Sequence, residues 1–110
     1  MSNLSRIETL KSYAELEPEN PFNWYALALE FRNNDPKMSL QYFNKLLIDH
    51  KVYLPTYYHA ASLCAELNLI EEAKKIYEDG IALAKVQQNT HALGELQNSY
   101  QNFLIDQDLF

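Results

Sequence analysis

Apolar residues recur at intervals of three and four positions along nearly the whole chain. Trp24, Leu27, Ala28 and Phe31 form one such stripe, and residues with this spacing lie on one face of an α-helix. Further stripes with the same spacing are Leu40, Phe43, Leu46 and Leu47; Tyr57, Ala60, Ala61 and Cys64; and Ala73, Ile76, Tyr77, Gly80 and Ile81. The pattern therefore predicts a chain built of helices.

Short polar segments that contain proline mark where several of these helices begin. Asn20 precedes Pro21 and Asp35 precedes Pro36. Asparagine and aspartate cap helix N-termini, and proline fits the first turn because its missing N–H is not needed there. The segments predict six helices, at about 4–16, 22–33, 36–49, 55–67, 70–86 and 90–105.

Four further residues indicate where helices begin or end. Ser5 and Glu8 have the spacing of a capping box, which predicts the start of the first helix. Pro55 is predicted to open the fourth helix, and Asn68 to adopt the left-handed conformation that often follows a helix C-terminus.

The second and third predicted helices resemble the fourth and fifth. Residues 24–31 align with residues 57–64 at an offset of 33, and Phe43 aligns with Tyr77 at an offset of 34. In both copies an aromatic residue precedes a pair of small or apolar residues by one turn. A period of this size made of two antiparallel helices resembles the tetratricopeptide repeat (TPR).

The resemblance extends to individual residues of the TPR motif. The matching residues are Trp24 and Tyr57 for the opening aromatic, Leu27-Ala28 and Ala60-Ala61 for the Leu-Gly-like pair, Ser39 and Ala73 for the small residue of the second helix, and Phe43 and Tyr77 for its aromatic. The chain departs from the motif where Cys64 replaces an aromatic residue, where Leu46 replaces the small residue that Gly80 supplies, and where both full units lack the closing proline. Small stand-alone bacterial TPR proteins are similar in layout.

The resemblance implies an all-α fold, a right-handed stack of antiparallel helix pairs (an α-solenoid). The chain is then one domain over 1–110, with an N-terminal half repeat at 1–18, repeats at 21–52 and 54–87, and a C-terminal capping helix and tail at 90–110. Small residues let two helix backbones approach closely, so Gly80 is expected at a helix crossing. The last helix would cover the end of the stack.

Composition and charge narrow the classes of partner. The chain has 110 residues, with nine basic and fifteen acidic side chains that give a net charge of −6. Nucleic acid and anionic membranes attract basic surfaces, so neither is an expected partner. No signal peptide is visible after Met1, and the single cysteine excludes an internal disulfide. We therefore expect a cytoplasmic protein.

No pattern in the sequence predicts catalysis or a cofactor. The three histidines are neither three nor four residues apart, and the two glycines cannot form a phosphate-binding loop. Adjacent carboxylates such as Glu71 and Glu72 diverge on a helix surface, and Cys64 occupies a position that the repeat buries. We expect no enzyme, no metal and no cofactor.

The TPR resemblance implies a concave face lined by the first helix of each unit. The candidate peptide-binding residues on that face are Phe22, Tyr25, Leu29 and Arg32 from the first unit, Tyr58, Ser62, Ala65 and Glu66 from the next, and Leu96 and Tyr100 from the last helix. Tyr25 and Tyr58 each directly follow a core aromatic, so the contact that buries the core residue cannot bury them as well. Alternatively, the short stack, or a tail that ends in Leu109-Phe110, covers these residues.

The predicted function is a non-catalytic module that binds a peptide or helix of a partner protein in this groove. The alternative is a homodimer that covers the groove or the end of the stack. Chaperone-binding TPRs clamp a C-terminal dicarboxylate with Lys, Asn and Arg side chains. This sequence has Tyr25, Leu29 and His59 at the corresponding places, so an acidic tail is not the expected ligand.

Overall fold

Six α-helices account for most of residues 3–109, the part of the chain that the computed structural model describes. The helices are α1 (Asn3–Leu16), α2 (Pro21–Phe31), α3 (Pro36–Asp49), α4 (Pro55–Glu66), α5 (Ile70–Val86) and α6 (Thr90–Asp106). No strand occurs within these described residues. The all-α prediction is confirmed, and each predicted helix end lies within two residues of the observed one.

The predicted caps at the start of α2 and α3 are confirmed. The Asn20 side chain accepts a hydrogen bond from the backbone N–H of Phe22 at 3.0 Å, and the Asp35 carboxylate accepts one from Met38 at 3.2 Å. Asn89 does the same for the first turn of α6. These bonds satisfy backbone donors that have no partner inside the helix.

Of two other predicted helix ends, one is confirmed and the other is wrong. Asn68, just after α4, has a φ of 63° and so adopts the predicted left-handed conformation. The capping box at Ser5 is wrong, because α1 begins at Asn3 and Ser5 lies inside the helix. There the Ser5 carbonyl accepts a hydrogen bond from the Thr9 hydroxyl at 2.9 Å.

The helices belong to two compact units, one that ends at Tyr53 and one that begins at Leu54. The first contains α1, α2 and α3, and the second contains α4, α5 and α6. The single domain over 1–110 and its division into repeats stay a prediction.

In the first unit, a buried serine and stacked aromatic rings connect α2 to α3. The Ser39 hydroxyl donates a 2.6 Å hydrogen bond to the carbonyl of Ala28. The ring of Trp24 stacks on Tyr42 at a centroid distance of 6.0 Å, and its indole N–H donates to the carbonyl of Pro18 at 2.9 Å. A serine thus allows close approach where a larger side chain would separate the helices.

In the second unit, Gly80 lies where α5 packs closely against α4 and α6. A Cβ atom at Gly80 would lie 2.7 Å from the Cβ atom of Tyr57 on α4 and 3.3 Å from a methyl group of Leu96 on α6. Carbon atoms in ordinary contact are about 3.5–4.0 Å apart. The prediction of a close helix crossing at Gly80 is therefore confirmed.

Replacing Thr56 with valine is expected to raise the free energy of unfolding by about 1 kcal/mol. Thr56 is fully buried, and its hydroxyl has no hydrogen-bond partner among the described residues. Valine keeps the shape and removes the polar group. Chemical denaturation followed by circular dichroism measures the change.

The matched control for this substitution is Ser39→Ala. Ser39 is also fully buried, but its hydroxyl is hydrogen-bonded to the carbonyl of Ala28. Its removal should lower stability by about 1 kcal/mol. A loss of stability in Thr56→Val would contradict the prediction and indicate that the threonine hydroxyl has a partner.

Candidate peptide-binding site

The candidate residues on α2 differ in how much surface they expose. Phe22 is 57% exposed and Leu29 is 37% exposed, whereas Tyr25 and Arg32 are half-buried. The ring of Tyr25 packs edge-on against Tyr53 at a centroid distance of 5.6 Å. Burial, together with the neighbouring Tyr53 hydroxyl, raises the pKa of Tyr25. Phe22 and Leu29 therefore offer apolar surface, while Tyr25 is partly covered.

The four candidate residues on α4 lie on one face of that helix. The side chain of Tyr58 is 39% exposed and packs edge-on against His59 at 5.3 Å. One and two turns further on, Ser62 and Ala65 are half-buried and Glu66 is exposed. This face combines an accessible aromatic ring with a carboxylate.

The two candidate residues on α6 have different surroundings. Leu96 is 2% exposed and lies against the Gly80 crossing, so it belongs to the core and has no surface for a ligand. Tyr100 is half-buried, and its hydroxyl donates to the carboxylate of Glu78 at 2.8 Å. Burial and this hydrogen bond raise the pKa of Tyr100 to about 12, so the hydroxyl stays protonated and remains a donor.

The tail that the sequence offers as a cover for the groove is only partly described. Leu109 is 46% exposed, and its backbone N–H donates to the carbonyl of Leu104 at 2.8 Å. Phe110 lies outside the described residues. Leu109 therefore keeps about half of its surface accessible.

A cleft of about 300 Å³ lies between α4 and α6, and we call it the α4–α6 cleft. Its lining comprises Ser62, Ala65 and Glu66, then Tyr77 from α5, and Ser99, Asn102, Phe103, Asp106 and Gln107. Tyr77 and Phe103 are buried, whereas Glu66, Asn102 and Asp106 are exposed. The cleft thus has an aromatic floor and a polar rim.

A hydrogen bond fixes the floor of the cleft. The hydroxyl groups of Tyr77 and Ser99 are 2.6 Å apart, and the rings of Tyr77 and Phe103 have a centroid distance of 5.5 Å. The candidate residues named from the sequence include the α4 side of this cleft but not the residues on its α6 side. The signal was available, because residues 99, 102, 103 and 106 have the spacing of one helix face.

Three other features of the described residues bear on the chemistry of the chain. They are the protonation state of Cys64, the arrangement of the acidic side chains, and the length of the helices. Burial, and secondarily the charge of Glu72, raises the pKa of the Cys64 thiol, which keeps it protonated and a poor nucleophile. Within residues 3–109, no group of three histidine, cysteine or acidic side chains is arranged to hold a metal ion. None of the helices in that range has the length and apolar content to cross a membrane.

Several solved structures are similar to this chain, and two of them come from the same organism. The solution structure of a tetratricopeptide repeat domain protein from Salinibacter ruber shares 32% sequence identity at a TM-score of 0.73, and the match covers 79% of this chain and 89% of that one. A crystal structure of a tetratricopeptide repeat domain protein from the same organism shares 30% identity at a TM-score of 0.72, over 76% and 96% of the two chains. The chain belongs to the tetratricopeptide repeat family.

Membership of this family confirms the TPR resemblance, which was drawn from the aligned aromatic and small residues of the two predicted repeats. Comparisons with protein-family models and with curated proteins find no match. The TPR fold supports a general role as a protein-interaction module.

Proposed function

We propose that this TPR chain is a non-catalytic module of the cytoplasm that binds a peptide or helix of a partner protein. The observation that carries the proposal is the α4–α6 cleft of about 300 Å³, which lies along the same face of α4 as the exposed ring of Tyr58. Its lining contains no histidine, cysteine or lysine. Aromatic anchors in a cleft with a polar rim are typical of peptide recognition.

Tyr58 extends the accessible surface of α4 beyond the cleft. It lies one turn before Ser62 on the same helix face and keeps 39% of its surface exposed. In the first unit, Phe22 and Leu29 offer further apolar surface beside the partly covered Tyr25. Binding through these side chains should be mostly apolar, with a modest dependence on salt.

The proposal is tested by selecting random displayed peptides on the full chain and then measuring their affinities. We expect Tyr58→Ala to weaken binding of a selected peptide about tenfold, since an exposed aromatic anchor contributes about 1–2 kcal/mol. Tyr25→Ala should also weaken binding. Titration calorimetry measures both effects, and circular dichroism verifies that each variant is folded.

Tyr13→Ala is the matched control for the tyrosine substitutions. Tyr13 is exposed on α1 and is not a candidate binding residue. It should leave affinity unchanged. Unchanged affinity in folded Tyr25→Ala and Tyr58→Ala variants, or the failure of any peptide to be selected, would contradict the proposed function.

Self-association is a second candidate, favoured by the apolar surface of the first unit. The large apolar side chains that are exposed there include Tyr13, Leu16, Phe22, Leu29, Ile48 and Val52. A symmetric dimer would bury such a surface. Light scattering over a range of concentrations tests this, and a monomer at every concentration would eliminate it.

A further inference from the structure

We infer that a groove between α1 and α2 binds the backbone of an extended segment of a partner protein. The inference rests on the proposed function, and it adds a second place on the chain and the chemistry that this place recognises. The groove has a volume of about 370 Å³ and is lined by Tyr13, Leu16, Glu17, Asn20 and Asn23. All five residues belong to the first unit. We call this site the α1–α2 groove.

The side chain of Asn23 is the feature that points to a ligand. Asn23 lies in the first turn of α2 and keeps only 9% of its surface exposed. No hydrogen bond joins its side-chain amide to another residue in the described range 3–109. A buried amide without a partner destabilises a folded chain. Because Asn23 lines the α1–α2 groove, water or a ligand in the groove supplies its hydrogen bonds.

The hydrogen-bonding capacity of Asn23 selects the class of ligand. An asparagine amide has an acceptor oxygen and two N–H donors, so a ligand that satisfies it must both donate and accept. A carboxylate has no donor, and a lysine or arginine head has no acceptor. A peptide group has one of each. Among the residues that line the groove, Glu17 alone is charged, and it repels an anion. An uncharged peptide group therefore fits this site.

Asn20 provides a second amide in the lining, and its orientation is fixed. The oxygen of its side chain accepts a hydrogen bond from the backbone N–H of Phe22 at 3.0 Å, which caps α2. The NH₂ group of Asn20 is not used by this cap. It can therefore donate to a further carbonyl group of the bound segment, next to the peptide group that pairs with Asn23.

The apolar side chains of the groove offer surface to a side chain of the same segment. Leu16 is 76% exposed and Tyr13 is 53% exposed, and their spacing of three residues places them on one face of α1. Backbone N–H and C=O groups inside a helix are already paired with each other, whereas those of an extended segment are free. The groove thus suits an extended segment with an apolar residue beside the recognised peptide group.

Selection of random displayed peptides on a Tyr58→Ala form of the full chain tests the inference. This substitution removes the exposed ring on α4, so the selection favours ligands of other surfaces. We expect the selected peptides to bind Tyr58→Ala/Asn23→Leu about tenfold more weakly in titration calorimetry. Leucine has the branched shape of asparagine without its polar atoms. Circular dichroism verifies that each variant is folded.

Asn34→Leu in the Tyr58→Ala form is the matched control. Asn34 is exposed in the connection between α2 and α3 and does not line the groove. The chemical change is the same as at Asn23, but the affinity for a selected peptide should stay unchanged. Equal weakening by the two asparagine substitutions would overturn the inference, because the effect would then not come from the α1–α2 groove.

Replacement of single backbone amides of a selected peptide by esters gives a test that needs no further change of the protein. An ester keeps the course of the backbone and removes one N–H donor. We expect one ester position to weaken binding to the Tyr58→Ala form about tenfold, because the Asn23 oxygen loses its donor. The same ester should have little effect once Asn23 is leucine. Equal effects with and without Asn23, or no sensitive position, would overturn the inference.

The remaining outcomes separate this inference from the proposed function. If no peptide is selected on the Tyr58→Ala form, the inference is overturned, since water alone then satisfies Asn23. Tyr58-dependent peptides selected on the unmodified chain would still support the proposed function, and Tyr13→Ala is the control for those peptides only. Light scattering that shows a dimer dissociated by Asn23→Leu would also overturn the inference, because the occupant would be a second copy of the chain.

Discussion

Gly80→Val is expected to lower the free energy of unfolding by about 3 kcal/mol, and Gly80→Ala by about 1 kcal/mol. The first atom of either side chain would lie 2.7 Å from the Cβ atom of Tyr57, which is attached directly to the backbone of α4. Relief of this overlap requires the two helices to separate. Alanine is the better helix former by about 1 kcal/mol, which offsets part of its cost.

Gly94→Ala is the internal control for this effect. Gly94 also lies within a helix, α6, but a Cβ atom there would meet nothing within 4 Å. The substitution should raise stability by up to about 1 kcal/mol through helix propensity alone. Urea denaturation of the three variants provides the comparison. Stabilisation of equal size by Gly80→Ala and Gly94→Ala would show that α4 and α5 are further apart than described.

Removal of residues 90–110 is expected to abolish the cooperative unfolding of the second unit. The truncation removes α6 with its buried Leu96 and Phe103, and it deprives the Tyr77 hydroxyl of its partner Ser99. Full burial of a leucine and a phenylalanine contributes roughly 3–6 kcal/mol together, which is a large part of the stability of a small unit. A broad thermal transition by circular dichroism is the expected result.

The reactivity of the Cys64 thiol provides a second way to measure the structural effect of removing residues 90–110. It is the only cysteine of the chain, it lies on α4 and it is 2% exposed. Its reaction with a thiol reagent should accelerate strongly when α6 is absent. Deletion of residues 107–110 alone is the control and should leave both measurements nearly unchanged. A sharp transition with a protected thiol in the long truncation would refute the capping role of α6.

The positions of the helices were predictable because their signals are local. These signals are apolar spacing, prolines and capping residues such as Asn20 and Asp35, and each acts within one or two helical turns. All six helices lie at the positions that these signals predict. The first helix is the exception at its start. Ser5 and Glu8 have the spacing of a capping box, but the helix continues before them to Asn3.

The candidate site was predictable only in part. A cleft forms where particular helix faces pack against one another, and the sequence pattern does not show which faces do so. Periodicity places Leu96 on the apolar stripe of α6 but does not separate core from cleft, and packing at Gly80 buries it. The contact of Tyr25 with Tyr53 was not predicted either. Tyr53 lies in the connection after α3, where no periodic pattern indicates the direction of a side chain.

The distribution of lysines has a practical consequence for handling the protein. Amine-reactive dyes and coupling chemistries modify lysine side chains, and neither wall of the α4–α6 cleft contains one. Immobilisation through amines therefore attaches the protein by α5 or by the first unit. A biosensor surface prepared in this way leaves both walls of the α4–α6 cleft chemically unmodified.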